Sequence, residues 1–226
     1  RIGVDVMGGD LAPMPILEGA LAATAQLEAG DVVVLYGDEK VILAGIENTT
    51  LGPAQVEVVG TSQTISMDES PVDAVRSKQD SSLVVMCKDG SQKAENPLDA
   101  VISAGNTGAF VAGSQMYLRR LEGVHRPGIA AAVPTFAGTV AFIDVGANIE
   151  PKPIHLAQYG VMGKVYAKRI LGIENPRVAL MNVGGEEQKG TSNLKLVRDM
   201  LRAAPDINFV GYIEGRTVFD GGADVV

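Results

Sequence analysis

Ile2-Gly3-Val4-Asp5-Val6-Met7-Gly8-Gly9-Asp10-Leu11-Ala12-Pro13 decides how the chain is read. Ile2 to Val6 is a short apolar run with β-branched residues, the pattern of a strand buried on both faces. Gly8-Gly9-Asp10 ends it with a turn. A helical pattern from about Pro13 to Glu28 follows, with proline acceptable in the first helical turn. Strand, glycine loop and helix in that order form the opening of an α/β fold.

The same alternation runs on. Val32 to Tyr36 reads as a strand, Glu39 to Ile46 as a short helix and Gln55 to Val59 as a strand. Helices are expected over Ser70 to Ser77 and Ser81 to Lys93, with Ser81 as an N-cap. Asp99 to Ser103 is extended and Thr107 to Leu121 helical. Ile129 to Val133 and Val140 to Asp144 read as paired strands around Pro134 to Gly138. A long helix spans Pro153 to Leu171, then come a strand at Arg177 to Asn182, a helix at Thr191 to Ala203 and a strand at Asn208 to Ile213. This order implies βαβ units and a mainly parallel sheet flanked by helices. The 226 residues are taken as a single α/β catalytic domain. Ala223-Asp224-Val225-Val226 reads as the beginning of a strand, so the chain is expected to continue and to be truncated at its C-terminal end.

Composition fits that fold and excludes several functions. Hydrophobic residues make up 46% and charged residues 20%, while aromatics are only 4% and tryptophan is absent. The core must therefore be aliphatic, as under a helix-covered parallel sheet. A net charge of −8, with no basic cluster longer than Arg119-Arg120, argues against nucleic acid. The single Cys87 excludes internal disulfides and suits a reducing, cytoplasmic setting. No apolar run approaches the roughly 20 residues needed to span a bilayer. The chain enters directly into a strand pattern, so no signal segment is expected.

Ligands of open α/β sheets gather beyond the carboxyl ends of the strands. Four such ends are rich in Gly, Asn and Asp: Asp5 to Asp10, Ser103 to Gly108, Asp144 to Asn148 and Asn182 to Gly185. In Ser103-Ala104-Gly105-Asn106-Thr107-Gly108, the glycines permit close backbone approach and a helix begins at Asn106-Thr107. Free amides and the helix dipole there suit a phosphate-sized anion, while Asn106 or Thr107 also serves as an ordinary helix cap. Gly8, Gly9 and Asp10 lack G-x-G-x-x-G spacing, and a charged Asp10 would repel a pyrophosphate, which argues against a Rossmann dinucleotide site. Asp10 either orients backbone groups or caps the helix that follows.

Lys189, in Gly184-Gly185-Glu186-Glu187-Gln188-Lys189-Gly190, is a candidate to stabilise developing negative charge, against the ordinary fate of a solvated loop lysine. Lys152, between two prolines and following Asn148, is the second candidate cation. Cys87 reads as a packing residue. His125 and His155 form no metal-type spacing, and no G-x-S-x-G elbow occurs. No metal or cofactor is expected, and a nucleophile would come with the substrate.

Asp5 to Pro13, Ser103 to Ala109, Arg126 to Gly128 and Asp144 to Asn148 resemble, in order, the signatures of the bacterial phosphate acyltransferases, the PlsX family. So do Lys152 to Gly163, Asn182 to Gly184 and Glu187 to Gly190. The resemblance implies a fold related to the phosphate acetyltransferases and the isocitrate/isopropylmalate dehydrogenases. It implies transfer of a fatty acyl group from acyl carrier protein to inorganic phosphate, giving an acyl phosphate for phospholipid synthesis by a membrane glycerol-phosphate acyltransferase. It also implies a homodimer with peripheral membrane contact.

On this reading Lys189 and Asn148 are catalytic. Gly105, Asn106, Thr107, Gly108, Lys152, Asp5, Gly8, Gly9, Asp10 and Asp144 bind phosphate or substrate. An acidic enzyme meeting an acidic carrier calls for a local basic patch that includes Arg119, Arg120 and Arg126, although Arg119-Arg120 also suits a helix C-terminus. Leu11 stands where the family usually has His, and Gly184-Gly185 replaces a more acidic version of that loop. The rival readings are a phosphate acetyltransferase using coenzyme A, a dehydrogenase on the related fold, and a catalytically silent scaffold.

Overall fold

The computed structural model describes residues 1–226. Within the span taken above as one domain, the chain groups into two compact units, 1–119 and 120–226, each with its own strands and core.

The first unit is built on four parallel strands in the order β3-β2-β1-β4. They are β1 (Ile2–Asp5), β2 (Val32–Gly37), β3 (Gln55–Gly60) and β4 (Ala100–Ser103). Period-two alternation sends Val4, Val33 and Leu35 to one face, where they pack on Leu17 and Leu21 of α1 (Met14–Ala23) and Ile42 of α2 (Glu39–Glu47). Val34 and Tyr36 go to the other face, against Met86 of α4 (Ser82–Asp89) and Leu98. Both faces are covered, which is why these strands read as unbroken apolar runs.

Ser81 caps α4 as expected, accepting from the Val84 amide at 3.4 Å. Cys87 is fully buried in a cluster with Leu83, Val84 and Ala109, and burial pushes its thiol up to about 12. It is a packing residue. The two remaining helices are α3 (Pro71–Ser77) and α5 (Thr107–Gly113). The helix expected to run on to Leu121 is shorter: regular α-helix stops at Gly113, and one wider turn carries residues 114–118. Glycine is a poor helix former, and Gly113 also packs tightly on Cys87, where a β-carbon would lie 3.1 Å from the sulfur.

In the second unit, β5 (Ala130–Thr135) and β6 (Gly138–Ile143) form an antiparallel hairpin. β7 (Arg177–Met181) and β8 (Asn208–Ile213) pair in parallel. Residues 224–226 join the two pairs: Val225 bridges in parallel to both Ala141 and Val178. The spatial order is thus β5, β6, 224–226, β7, β8, with one antiparallel neighbour pair in an otherwise parallel arrangement. The strand start read from Ala223 to Val226 is therefore a paired central strand segment. α6 (Pro153–Arg169) packs on Ala141, Val178 and Val225 through Ala167. Leu180 on β7, with Val197 and Leu201 of α7 (Ser192–Ala203), forms another buried cluster. No helix is long and apolar enough to cross a membrane.

Arg177 and Asp224 hold the central segment in place. The Asp224 carboxylate accepts from the Arg177 amide at 2.7 Å, from Nε at 3.0 Å and from Nη2 at 2.8 Å. The Arg177 guanidinium holds this carboxyl below the usual carboxylate range. A depressed native value gives stability that is complete above the unfolded value near 4 and is lost as pH falls through the native one. Asp224→Asn is expected to destabilise the chain by about 1–3 kcal/mol in urea titration at pH 7, with a gap from the native chain that narrows below pH 4. A gap independent of pH would show that the charge contributes nothing.

Candidate active-site loops

In the first unit, parallel register sets Asp5, at the end of β1, directly beside Ser103, at the end of β4. The Ser103 hydroxyl donates to Asp5 Oδ2 at 2.7 Å and accepts from the Gly105 amide at 3.0 Å. Asp5 is 1% exposed, and its Oδ1 is buried without a hydrogen-bond partner. Burial pushes its carboxyl up, with the Ser82 and Ser103 hydroxyls and the Met7 and Gly8 amides pulling the other way.

Close packing explains the glycines over this pair. A β-carbon on Gly8 would sit 2.3 Å from Asp5 Oδ2, and one on Gly105 3.1 Å from the Gly8 α-carbon. Gly9, at φ +123°, lies against Ala104. The loops 5–10 and 103–108 therefore form one layered structure, as their shared glycine content suggests.

Asn106 is a cap. Its Oδ1 accepts from the Ala109 amide at 3.0 Å, and its Nδ2 donates to the carbonyls of Ser66, Met67 and Glu69. That side chain is fully engaged in ordering residues 66–69, and the Gly105 amide is engaged by Ser103, so the exposed backbone of this loop is that of Thr107 and Gly108. Asp10 is exposed and caps nothing: the cap position of α1 is Pro13, with no side-chain hydrogen bond. Beside this layer, an apolar groove of about 380 Å³ runs between β1, β4 and α1, lined by Val4, Ile16, Ala20, Leu27, Ile102 and Ala104.

In the second unit, the Asp144 carboxylate folds the loop after β6 around itself. It accepts from the amides of Ile129, Gly146, Ala147 and Asn148 at 2.8–3.2 Å, and from Asn148 Nδ2 at 2.8 Å. Burial alone would raise its carboxyl, but these donors outweigh it and hold the group low. Asn148 Nδ2 also donates to the Pro127 carbonyl and to Tyr159 Oη, each at 2.8 Å. Its donor capacity is consumed by the loop, so Asn148 differs from the free catalytic amide expected from sequence.

The loop after β7 lies on the same sheet edge, because β6 and β7 both run parallel to residues 224–226. Two strand spacings, about 10 Å, separate the two strand ends. Lys189 folds across Gly184, where a β-carbon would come within 2.8 Å of Nζ, and pairs with Glu186 at 2.8 Å. Below it, Asn182 is 7% exposed with Oδ1 unpartnered, and Gly190, at φ +89°, leaves no room there for a side chain.

Lys152 is exposed at the start of α6, next to His155, whose ring centroid is 6.3 Å from that of His125. Of the expected basic patch, Arg126 joins these groups, and the Arg120 guanidinium donates to the His125 carbonyl. Arg119 belongs to the first unit and ends the turn after α5 at φ 68°. Sequence reasoning missed three residues: Ser103 as partner of Asp5, Tyr159 as partner of Asn148, and Glu186 as partner of Lys189. Only the first had a readable signal, since residues ending adjacent parallel strands become neighbours. No group of three or more His, Cys, Asp or Glu side chains is placed to hold a metal ion.

Glycine loops at the strand ends of a helix-flanked parallel sheet define an α/β fold of the phosphotransacylase type. The EutD phosphotransacetylase from Staphylococcus aureus covers 99% of this chain and aligns over 76% of its own, with a TM-score of 0.61 at 17% identity. A branched-chain phosphotransacylase from Enterococcus faecalis V583 aligns with a TM-score of 0.57 at 15% identity, over 100% of this chain and 78% of its own. At these identities the likeness is one of fold. The chain belongs to the fatty acid synthesis protein family, whose model matches residues 1–226. It is 45% identical to a phosphate acyltransferase from Brevibacillus brevis over all of this chain and 66% of that protein. It is 42% identical to one from Syntrophomonas wolfei, over 70% of that protein. The chain spans about two thirds of the length of these curated relatives.

The Ser103 link yields a direct expectation. Ser103→Ala strips partners from Asp5 Oδ2 and the Gly105 amide together, and should cost about 1–3 kcal/mol of stability in chemical denaturation. A loss within experimental error would mean that the two loops are held together by something else.

Proposed function

We propose that this chain carries the reacting groups of a phosphate acyltransferase, which moves a fatty acyl group from a carrier thioester to inorganic phosphate. The observation that carries this reading is the Gly8–Gly9 and Ala104–Gly105 layer over a buried Asp5–Ser103 pair, in a chain 45% identical to a protein named phosphate acyltransferase. A phosphate oxygen attacks the thioester carbonyl, and the carbonyl π electrons move to oxygen. The tetrahedral intermediate collapses with cleavage of the C–S bond. The thiolate leaves and takes up the proton that phosphate gives up, so the products are an acyl phosphate and a free thiol. Phosphate is itself the nucleophile, and the protein's task is positioning and charge stabilisation.

The roles follow from the side chains. Backbone amides at Thr107 and Gly108 receive phosphate, on a layer built by Gly105, Gly8 and Gly9. Asp5 acts from below by fixing Ser103. In the second unit, Lys189 has in Glu186 an exposed partner that it can exchange for a developing negative charge. Asp144 and Asn148 hold the loop that leads to Lys152. The groove lined by Val4, Ile16 and Ile102 has a lining suited to an aliphatic chain. Acyl carrier protein is the donor in this reading, the membrane glycerol-phosphate acyltransferase the consumer of the product, and the working form a homodimer at the membrane surface.

Lys189→Ala is expected to lower turnover about a hundredfold, the scale of a lost oxyanion donor, measured as hydroxamate from trapped acyl phosphate. Near-native turnover would remove Lys189 from the chemistry, and absence of acyl phosphate from the unaltered enzyme would remove the reading itself. Carrier-protein binding should weaken steeply as salt rises from 50 to 300 mM if Arg120 and Arg126 steer it. Affinity indifferent to salt would rule out the basic patch.

A further inference from the structure

Asn182 carries an acceptor that nothing in the folded chain uses. The residue is 7% exposed, and its Oδ1 is buried without a hydrogen-bond partner. The other end of the same amide is committed, since Nδ2 donates to the Gly184 carbonyl at 3.1 Å. Turning the amide over would set Oδ1 against that carbonyl, acceptor against acceptor, so the orientation is fixed. A buried oxygen without a donor costs the loss of its hydration, and a native structure keeps such a group for a reason.

The loop that follows is wrapped around this side chain. From residue 181 to residue 189 only Asn182 and Gly184 are buried, and Val183 between them is 83% exposed. Gly190, which closes the loop, lies on the amide: a β-carbon there would stand 2.7 Å from Oδ1. That contact brings the α-carbon of the preceding residue, Lys189, within about 8 Å of Oδ1. An extended lysine side chain with a hydrogen bond at its end spans that distance.

The other charged donors around the loop are committed. Arg198 is held by Asp199 and by the Glu187 carbonyl, and Arg202 by the Glu187 carboxylate. Arg216 is held by Glu214, which also accepts from the Gly185 amide. That leaves the Lys189 ammonium. Its partner Glu186 is a surface one, with both side chains about half exposed, and a pair of this kind contributes little.

We infer that Asn182 is a positioning residue for Lys189: when the ammonium leaves Glu186 it turns inward and donates to Asn182 Oδ1. The inference rests on the proposed function for the purpose of the lysine, and adds the group that holds it in its working position. The change of partner has a chemical consequence. A carboxylate cancels the charge of an ammonium, whereas a neutral amide oxygen orients it and leaves the charge free to act on an anion. Glu186 stores the lysine, and Asn182 holds it for work.

The test follows the ammonium protons of Lys189 by NMR in the nitrogen-15-lysine-labelled chain, with Lys189→Arg to assign the signal. Protons held by a buried acceptor exchange with water more slowly than those of a surface pair. Glu186→Ala removes the surface partner and should slow that exchange about tenfold. Asn182→Leu added to it should restore the fast rate. Asn182→Asp in the same background keeps an acceptor and loses the donor to Gly184, so the slow rate should persist. A merely structural Asn182 would make both variants fail alike. Fast exchange in Glu186→Ala, or slow exchange that survives Asn182→Leu, overturns the proposal. Should Asn182→Leu not fold, Asn182→Asp decides, and a fast rate there overturns it. Turnover gives a second readout. Glu186→Ala should keep the native kcat, while Asn182→Asp, by cancelling the charge, should lower kcat about tenfold and leave KM for the acyl donor in place. A native kcat in Asn182→Asp, or a loss confined to KM, also overturns it. The exchange measurement needs no turnover, so an inactive unaltered enzyme would count against the proposed function alone.

Discussion

Carboxylates at the ends of strands hold this molecule's loops in shape. A parallel strand ends with backbone groups that the sheet can no longer pair, and a buried loop must find partners for them. Asp5 meets that need through Ser103, which passes the hydrogen bond on to Gly105. Asp144 does it directly, gathering the amides of its own loop and that of Ile129. Asp224 does it for Arg177, and through it for the middle of the second sheet. The glycines are secondary to these acids: at Gly8 there is no room for a methyl group because the carboxylate is already there.

Such loops are organised before any substrate arrives. Asn106 and Asn148 illustrate the division of labour. Each looks like a ligand-binding amide in sequence, and each spends its donors within the protein: Asn106 on three carbonyls, Asn148 on the Pro127 carbonyl, the Asp144 carboxylate and Tyr159 Oη. What faces outward is the backbone they arrange, together with lysines that can leave a weak surface partner. Glu186 is such a partner for Lys189, since an exposed ion pair contributes little and can be exchanged for another anion.

Most of the fold was legible because aliphatic runs of four to six residues alternate with helical patterns. Val33 and Leu35 against Val34 and Tyr36 make the period-two signal plain even in a strand buried on both faces. What could not be read was the division at residues 119–120, where no change of composition marks the boundary. The early end of α5 was also hidden, because Gly113-Ser114 is tolerated in a helix unless packing decides otherwise. At the candidate site, residue types and loops were readable and partnerships were not. Tyr159 reaches Asn148 across eleven residues and a helix start, and nothing in either segment announces the other.

The position of residues 224–226 sets a timetable for assembly. They lie between β6 and β7, strands that precede them by about eighty and about forty-five residues, so the two halves of that sheet share no direct edge until this segment arrives. The first unit completes its four parallel strands within its first 103 residues and can condense as it leaves the ribosome. Its neighbour is left with an open hairpin and an open βαβ pair, each showing an unpaired edge, for as long as synthesis of the intervening segments takes. Closure of so distant a contact is slow. The second sheet therefore depends for its continuity on residues 224–226, whereas the sheet of the first unit has no such late member.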